Sequence, residues 1–207
     1  MSTGRRDTIR RACLTVPVAA AMSPLALAAV AFALLGAAGC ASTVTSRLEP
    51  SPQAPVCRRG EAAELLWTTR WRTDQKDVPA REAAAAEGLR RFAETSDCFG
   101  TLELRRSIPG MASLDAAVAA GLAARATVVV VVVRELGPTL AIGGASALVE
   151  GGTEVVLEIA EHRRGSPIPR AFTVRWRDGG PGVVKGVATL PADMQAALTV
   201  ALQPDRR

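Results

Sequence analysis

From Glu64 onward, short runs of alternating apolar and polar residues are separated by stretches with helical spacing. In ELLWTTRWR, Glu64 to Arg72, Leu65, Trp67, Thr69 and Trp71 fall on one side and Thr68, Arg70 and Arg72 on the other; this period of two predicts a half-buried strand. Ala80 to Thr95 instead spaces Ala85, Leu89 and Phe92 along a helical face and sets Glu87 four residues before Arg91, which predicts an amphipathic helix. A strand follows at Phe99 to Arg105, with Leu102 and Leu104 on one side. A second helix is expected at Leu114 to Ala124, faced by Leu114, Ala117, Val118, Gly121 and Leu122 and capped by Ser113. Thr127 to Val133 is almost pure valine, too short and too β-branched for a favoured helix, and reads as a central strand buried on both faces. Glu154 to Glu161 and Ala171 to Arg177 alternate again, with Val155, Leu157, Ile159, Phe172, Val174 and Trp176 inward, and HRRGSPIP joins them as a hairpin. Leu190 to Leu202 carries Leu190, Met194, Ala197, Leu198 and Ala201 on one stripe, with Thr189 as candidate cap and Pro191 in the first turn; it reads as a closing helix.

This β-α-β-α-β-β-β order with a closing helix predicts an α/β fold: a mixed, mostly antiparallel sheet with two to three packed helices, as a single domain over residues 61–203. The order resembles the small α/β domains of envelope auxiliary lipoproteins, of the ABC-transport auxiliary kind, and the amino-terminal domain of the TolB type. That resemblance rests on element order and no shared motif, and it implies an accessory role in the envelope. Fold alone does not fix function.

The first forty residues differ in kind. Arg5, Arg6, Arg10 and Arg11 precede an uncharged run from Ala12 to Gly39, whose working apolar core is Leu25 to Leu35, and small residues lead directly to Cys40. This is the layout of a secretory signal, expected over residues 1–39. Leu35-Gly36-Ala37-Ala38-Gly39-Cys40 resembles the lipobox of bacterial lipoproteins, with Ala37 where that motif more often has Leu. The resemblance implies cleavage before Cys40 and lipid on that cysteine. With Ala41 rather than Asp next, it also implies the periplasmic face of the outer membrane. The competing reading is a membrane-spanning helix, since about 20 apolar residues suffice to cross a bilayer. Residues 40–60 are expected to form the lipidated cysteine and a flexible tether, because ASTVTSRLEPSPQAP, Ala41 to Pro55, is polar, Pro-containing and without hydrophobic period.

Charge and cysteine content narrow the picture. The net charge is +5, of which the four leader arginines less Asp7 supply +3, so the basic pI of about 9.7 is no argument for nucleic acid. Once Cys13 leaves with the leader and Cys40 is consumed by lipid, Cys57 and Cys98 remain as an even pair. A disulfide is the expected state in an oxidising compartment, ahead of two free thiols or a metal site.

Motifs for catalysis or cofactors are lacking: there is no GxSxG, HExxH, GxGxxG after a strand, or GxxxxGK[ST]. Gly180 to Lys185 reads as a plain loop, His162 as a solvated residue of the hairpin turn, and Ser146 as a serine with no base to activate it. Glu154 and Glu158 are expected to pair across strands with Arg175 and Arg177. No enzyme activity, cofactor or metal is expected. Two surfaces remain as binding candidates. One is the arginine-bearing side formed by Arg70, Arg72, Arg175 and Arg177, suited to anionic lipid or glycan. The other is the apolar, Gly-rich stretch Gly137 to Gly152, whose Leu140, Ile142, Leu148 and Val149 need cover from a packed crossover or strand extension, or from a partner or lipid.

The expectation is a non-enzymatic accessory lipoprotein that is attached to a membrane through its lipid anchor and binds an envelope partner; a lipid or glycan carrier is the alternative. Mass spectrometry of the mature chain should find an acylated Cys40 as its first residue, and Cys40→Ser should leave an unprocessed, lipid-free precursor. A lipid-free wild-type chain beginning elsewhere would remove the anchor.

Overall fold

Six valines in succession need cover on two sides, and the chain is built around meeting that demand. The computed structural model describes residues 42–108, 113–142 and 149–203, all in one unit that begins at Cys40. Its elements are β1 (Thr43–Glu49), β2 (Arg58–Thr69), α1 (Val78–Thr95), β3 (Phe99–Arg106), α2 (Leu114–Ala124), β4 (Thr127–Ile142), β5 (Val149–Arg163), β6 (Arg170–Pro181), a short 3-10 turn (Val187–Thr189) and α3 (Leu190–Leu202). The six strands form one sheet in the order β1-β6-β5-β4-β2-β3. β2 lies parallel to both β3 and β4, and the other three pairings are antiparallel. The expected mixed, mostly antiparallel sheet is therefore what forms, and of the two to three helices expected, three pack on it.

The parallel half dictates where the helices go. From β2 the chain crosses outward through α1 to β3, then back past β2 through α2 to β4. Two crossovers of the same hand running in opposite directions place their helices on opposite faces. Accordingly α1 contributes Leu89 and Phe92 to a core with Leu65, Trp67, Val129, Val131 and Val133, whereas α2 contributes Ala117 and Val118 to a second cluster with Leu66, Val128, Val130 and Val132. All six valines are buried. The closing helix α3 returns to the α1 side, where Leu190, Met194 and Leu198 are fully buried. The two helices approach so closely that a Cβ on Gly88 would lie 2.6 Å from Cβ of Met194, so this contact needs a residue without a side chain.

Residues read as tether belong in part to the sheet. Thr43–Glu49 pairs antiparallel with β6 over seven positions, from Thr43↔Gly179 to Glu49↔Thr173, and Leu48 enters the core. The next residues are also held: the Arg170 guanidinium donates to the carbonyls of Ala54 (2.8 Å) and Pro55 (3.3 Å), and the amides of Val56 and Cys57 donate to the Leu202 carbonyl. The expectation of a free tether up to residue 60 thus fails from Thr43 on. The Gly-rich stretch is likewise mostly strand: β4 runs past a bulge at Arg134 to Ile142, and β5 starts at Val149, extending the hairpin well beyond the last β2 pair, Thr69↔Val133. His162, expected in a turn, is the penultimate residue of β5 and lies opposite Val128.

Cys57 and Cys98 are joined by a disulfide across 41 residues, just ahead of the first pair between β2 and β3, Arg58↔Phe99. The bridge therefore holds together the starting ends of two parallel strands that are linked only through a helix. Replacing both cysteines by Ala should destabilise the domain by about 4 kcal/mol on the chain-entropy account. Chemical denaturation of the oxidised chain and the double variant checks this; equal midpoints would show that the bridge constrains nothing.

Candidate functional site

The two faces of the sheet are covered unequally. α1 and α3 lie on one face, but among the described residues the other has only α2, which sits over β2 and β4. The part made by β5, β6 and β1 stays open, and alternation along those strands decides what it presents: Glu154, Val156, Glu158, Ala160 and His162 from β5; Ala171, Thr173, Arg175 and Arg177 from β6; Thr45, Arg47 and Glu49 from β1.

Two concavities mark this face. Beside α2 lies a groove of about 430 Å³, floored by Val130, Val132 and Ala160, walled by Leu114 and Val118, and rimmed by Glu49, Asp115, Glu158 and His162. Towards β1 lies a depression of about 340 Å³ lined by Arg47, Arg175 and Arg177 together with Glu154. The first is apolar with a mostly acidic rim and the second is basic, so one continuous surface carries both signs at separate places.

Ion pairing here follows the expected cross-strand logic with shifted partners. Glu154 meets Arg175 at 2.6 Å, a diagonal neighbour, while Arg177, directly opposite Glu154 in register, has no ion pair among the described residues. Glu158 pairs with Arg134 of the β4 bulge at 3.5 Å, and Arg47 with Glu49 at 2.5 Å. The four-arginine patch expected from sequence divides. Arg70 and Arg72 lie past the end of β2, where Arg72 pairs with Glu135 at 3.2 Å and shares a smaller concavity with Arg175. Arg47 takes their place beside Arg175 and Arg177. Sequence reasoning missed it because its segment had been read as tether; the alternation of Val44, Ser46 and Leu48 against Thr45, Arg47 and Glu49 was the available signal.

His162 is half-buried in the groove rather than solvated. Burial pushes its pKa below the ordinary 6.5, and the nearby Asp115 charge opposes that shift without cancelling it. No hydrogen bond joins His162 to Asp115 or Thr173 among the described residues. No group of three or more His, Cys, Asp or Glu residues is arranged to hold a metal among the described residues.

The other sequence candidates separate. Leu140 is on β4 and 68% exposed. The side chains of Ile142 and Val149 lie outside the described residues, as do Leu148, Ser146 and Cys40 altogether. The loop after β6 is more than a plain connection. The Lys185 ammonium bridges Asp178 of β6 and Asp193 of α3, the latter at 2.8 Å. Burial disfavours the Lys185 charge, but hydrogen bonds to the two carboxylates outweigh it and leave its pKa raised. Among the described residues no helix is long and apolar enough to cross a membrane.

The fold and this surface define a small α/β domain with a one-sided open sheet. No family model matches the chain, and no curated protein matches its sequence. Among solved structures it is similar to a PelC dodecamer from Paraburkholderia phytofirmans (14% identity, 76% of this chain and 96% of that one, TM-score 0.42). It is also similar to a neuraminyllactose-binding hemagglutinin homologue from Helicobacter pylori (9%, 75% and 88%, TM-score 0.38) and to a Xanthomonas campestris protein of the DUF330 family (16%, 77% and 88%, TM-score 0.36). At such scores the likeness carries no argument about function.

Because the folded pKa of His162 lies below the unfolded value, the unfolded chain binds more protons in the window just below pH 6.5. Stability should therefore fall as pH drops through that window, and His162→Gln should flatten this slope. Asp115→Asn should lower the His162 pKa further. Thermal unfolding against pH and the titration of the imidazole proton resonances check both; a His162 that titrates at or above 6.5 overturns the burial argument.

Proposed function

We propose that the chain is a membrane-anchored, non-enzymatic module of the bacterial envelope, held by lipid on Cys40 at the periplasmic face of the outer membrane, and that it binds a protein partner through the open half of its sheet. The observation that supports this reading best is the groove beside α2, where Val130, Val132 and Ala160 floor a concavity at the edge of the cover that α2 gives this face, with no further element over it among the described residues. Buried strand valines reaching the floor of an open concavity mark a place where a further apolar group removes water. The rim of Glu49, Asp115 and Glu158 selects a protein segment with an apolar side chain flanked by basic groups, and the Arg47, Arg175 and Arg177 depression beside it fixes the direction in which that segment lies.

A lipid or glycan carrier is the second reading, favoured by Arg177, a half-buried guanidinium without an ion pair that an anionic headgroup or sugar acid would satisfy. A photo-crosslinking residue at Ala171, on the groove wall, separates the two. Protein adducts from intact cells support the first reading, and extracted lipid or glycan with no protein adduct supports the second. Thr173→Arg, which places a cation and extra volume in the groove, should abolish the adducts while costing about 1 kcal/mol or less, since this half-buried position faces the groove and not the core. Adduct yields unchanged by Thr173→Arg would remove the groove as the contact.

A further inference from the structure

The strands align a set of exposed apolar residues with the place where the chain enters the fold. One row of cross-strand neighbours reads Thr43↔Gly179, Gly179↔Gly152 and Gly152↔Thr139, so the start of β1, the end of β6 and the far end of the β4–β5 hairpin lie at the same end of the sheet. Two residues, Ala41 and Ser42, separate Cys40 from Thr43, so three Cα–Cα steps give a covalent reach of at most about 11 Å. Leu140 (68% exposed), Val44 (58%) and Val184 (88%) are at that end, three of the six large apolar side chains that stand exposed among the described residues. By contrast, Ile168 is at the opposite end, in the β5–β6 turn.

These residues also share a side. Leu140 lies opposite Gly151, and Val44 opposite Asp178, on the face that carries α1 and α3. The loop bearing Val184 is folded down onto the same place: the Val183 carbonyl oxygen sits where a Cβ on Gly151 would be, 2.0 Å away, so only glycine admits it. Lys185, bound to Asp178 and Asp193, fixes the loop from behind. Val184 is thus held outward by a pinned support, beside charges that are already engaged with one another.

We infer that this end of the sheet, through Leu140, Val44 and Val184, rests on the phospholipid surface that carries the anchor. The inference depends on lipid at Cys40. Given that lipid, a link of two residues brings the bilayer interface within reach of this end alone, and exposed aliphatic side chains gain by leaving water there. A lipid-anchored domain whose sheet stands on its end in this way has two attachments, one covalent and one by contact.

The test uses the full chain, purified with its native modification and reconstituted in phosphatidylethanolamine and phosphatidylglycerol vesicles. Single probes are introduced as Leu140→Cys, Val184→Cys and, at the other end, Ile168→Cys, each labelled with a fluorophore and read with lipids bearing a quencher near the headgroup. Quenching severalfold stronger at 140 and 184 than at 168 is expected, and Leu140→Ser should weaken it at 184. A chain that mass spectrometry shows to be acylated at Cys40, yet whose probes at 140 and 184 stay as unquenched as at 168, overturns the contact alone. A chain unmodified at Cys40 overturns the anchor and the contact together. Probes at 140 and 184 equally shielded in detergent, with a doubled mass by light scattering, would show a second copy in place of lipid.

Discussion

The valine strand sets the terms for everything else. Val128 to Val133 are buried on both faces of the sheet, each burial removing a side chain worth roughly 1.5–3 kcal/mol from water, so the chain needs an apolar layer on either side of β4. The two crossovers supply one helix to each face, and α3 completes the first. For the second face there is, among the described residues, α2 alone, eleven residues long. Six strands at about 4.8 Å span more than 24 Å, while a helix with its side chains is about 10 Å across. One helix therefore covers about two strands, and β5, β6 and β1 must present polar residues to water. The open face with its glutamates, arginines and threonines is a geometric consequence of that shortfall, and the groove is the boundary where the apolar cover ends.

The same shortage of cover explains where charged groups are buried. Glu64 sits on the α2 side, where the Arg105 guanidinium binds it and reaches the Ala117 carbonyl at 3.2 Å, so that a strand, its neighbour and the helix meet at one ion pair. Arg81 of α1 reaches Glu135 at 2.9 Å and the Leu136 carbonyl at 2.6 Å, closing the place where β2 ends and β4 continues alone. Glu161 is held by Arg170, which also fixes Ala54 and Pro55. Each of these pairs stands at a margin of the core where an apolar layer stops. Removing one partner would leave the other desolvated and uncompensated, a cost of about 3–5 kcal/mol for a buried pair and less for the half-exposed ones here.

Elements with strong periodicity could be read directly: α2 and α3 occupy the spans their apolar spacing indicates, and the inward residues of β5 and β6 are those the alternation picks out. What was hidden lay where one element borrows stability from another. β1 buries a single large side chain, Leu48, so its sequence carries little hydrophobic signal; it is a strand because β6 offers it an edge. Gly151, Gly152 and Gly179 argue locally for a loop, yet they lie in strands because a carbonyl or a neighbouring backbone occupies the space a side chain would need. His162 looks solvated beside Arg163 and Arg164, and only the position of α2 over the neighbouring strands shows that it lines a groove. The candidate surface was legible in part, through Arg175 and Arg177, because both lie on a strand whose alternation is regular. Arg47 was not, since its place beside them depends on a pairing 128 residues away in sequence.

The pairing of β1 also changes what the anchor can do. A free segment from Ala41 to Pro55 would let the domain range over some tens of ångströms, whereas the paired strand leaves two residues, Ala41 and Ser42, of slack if Cys40 carries lipid. The strands would then stand away from the bilayer, with the row through Thr43 and Thr139 nearest to it. From Thr139 back to Val132, on the groove floor, is seven residues, or about 23 Å at the rise of a strand. The open face would look sideways along the membrane at that height, because its normal is perpendicular to the strands. A partner of the proposed kind would then have to present its basic-flanked apolar segment about that far above the same bilayer. This geometric condition favours proteins that are themselves attached to that membrane, since attachment raises their effective concentration at the one height where the groove is open.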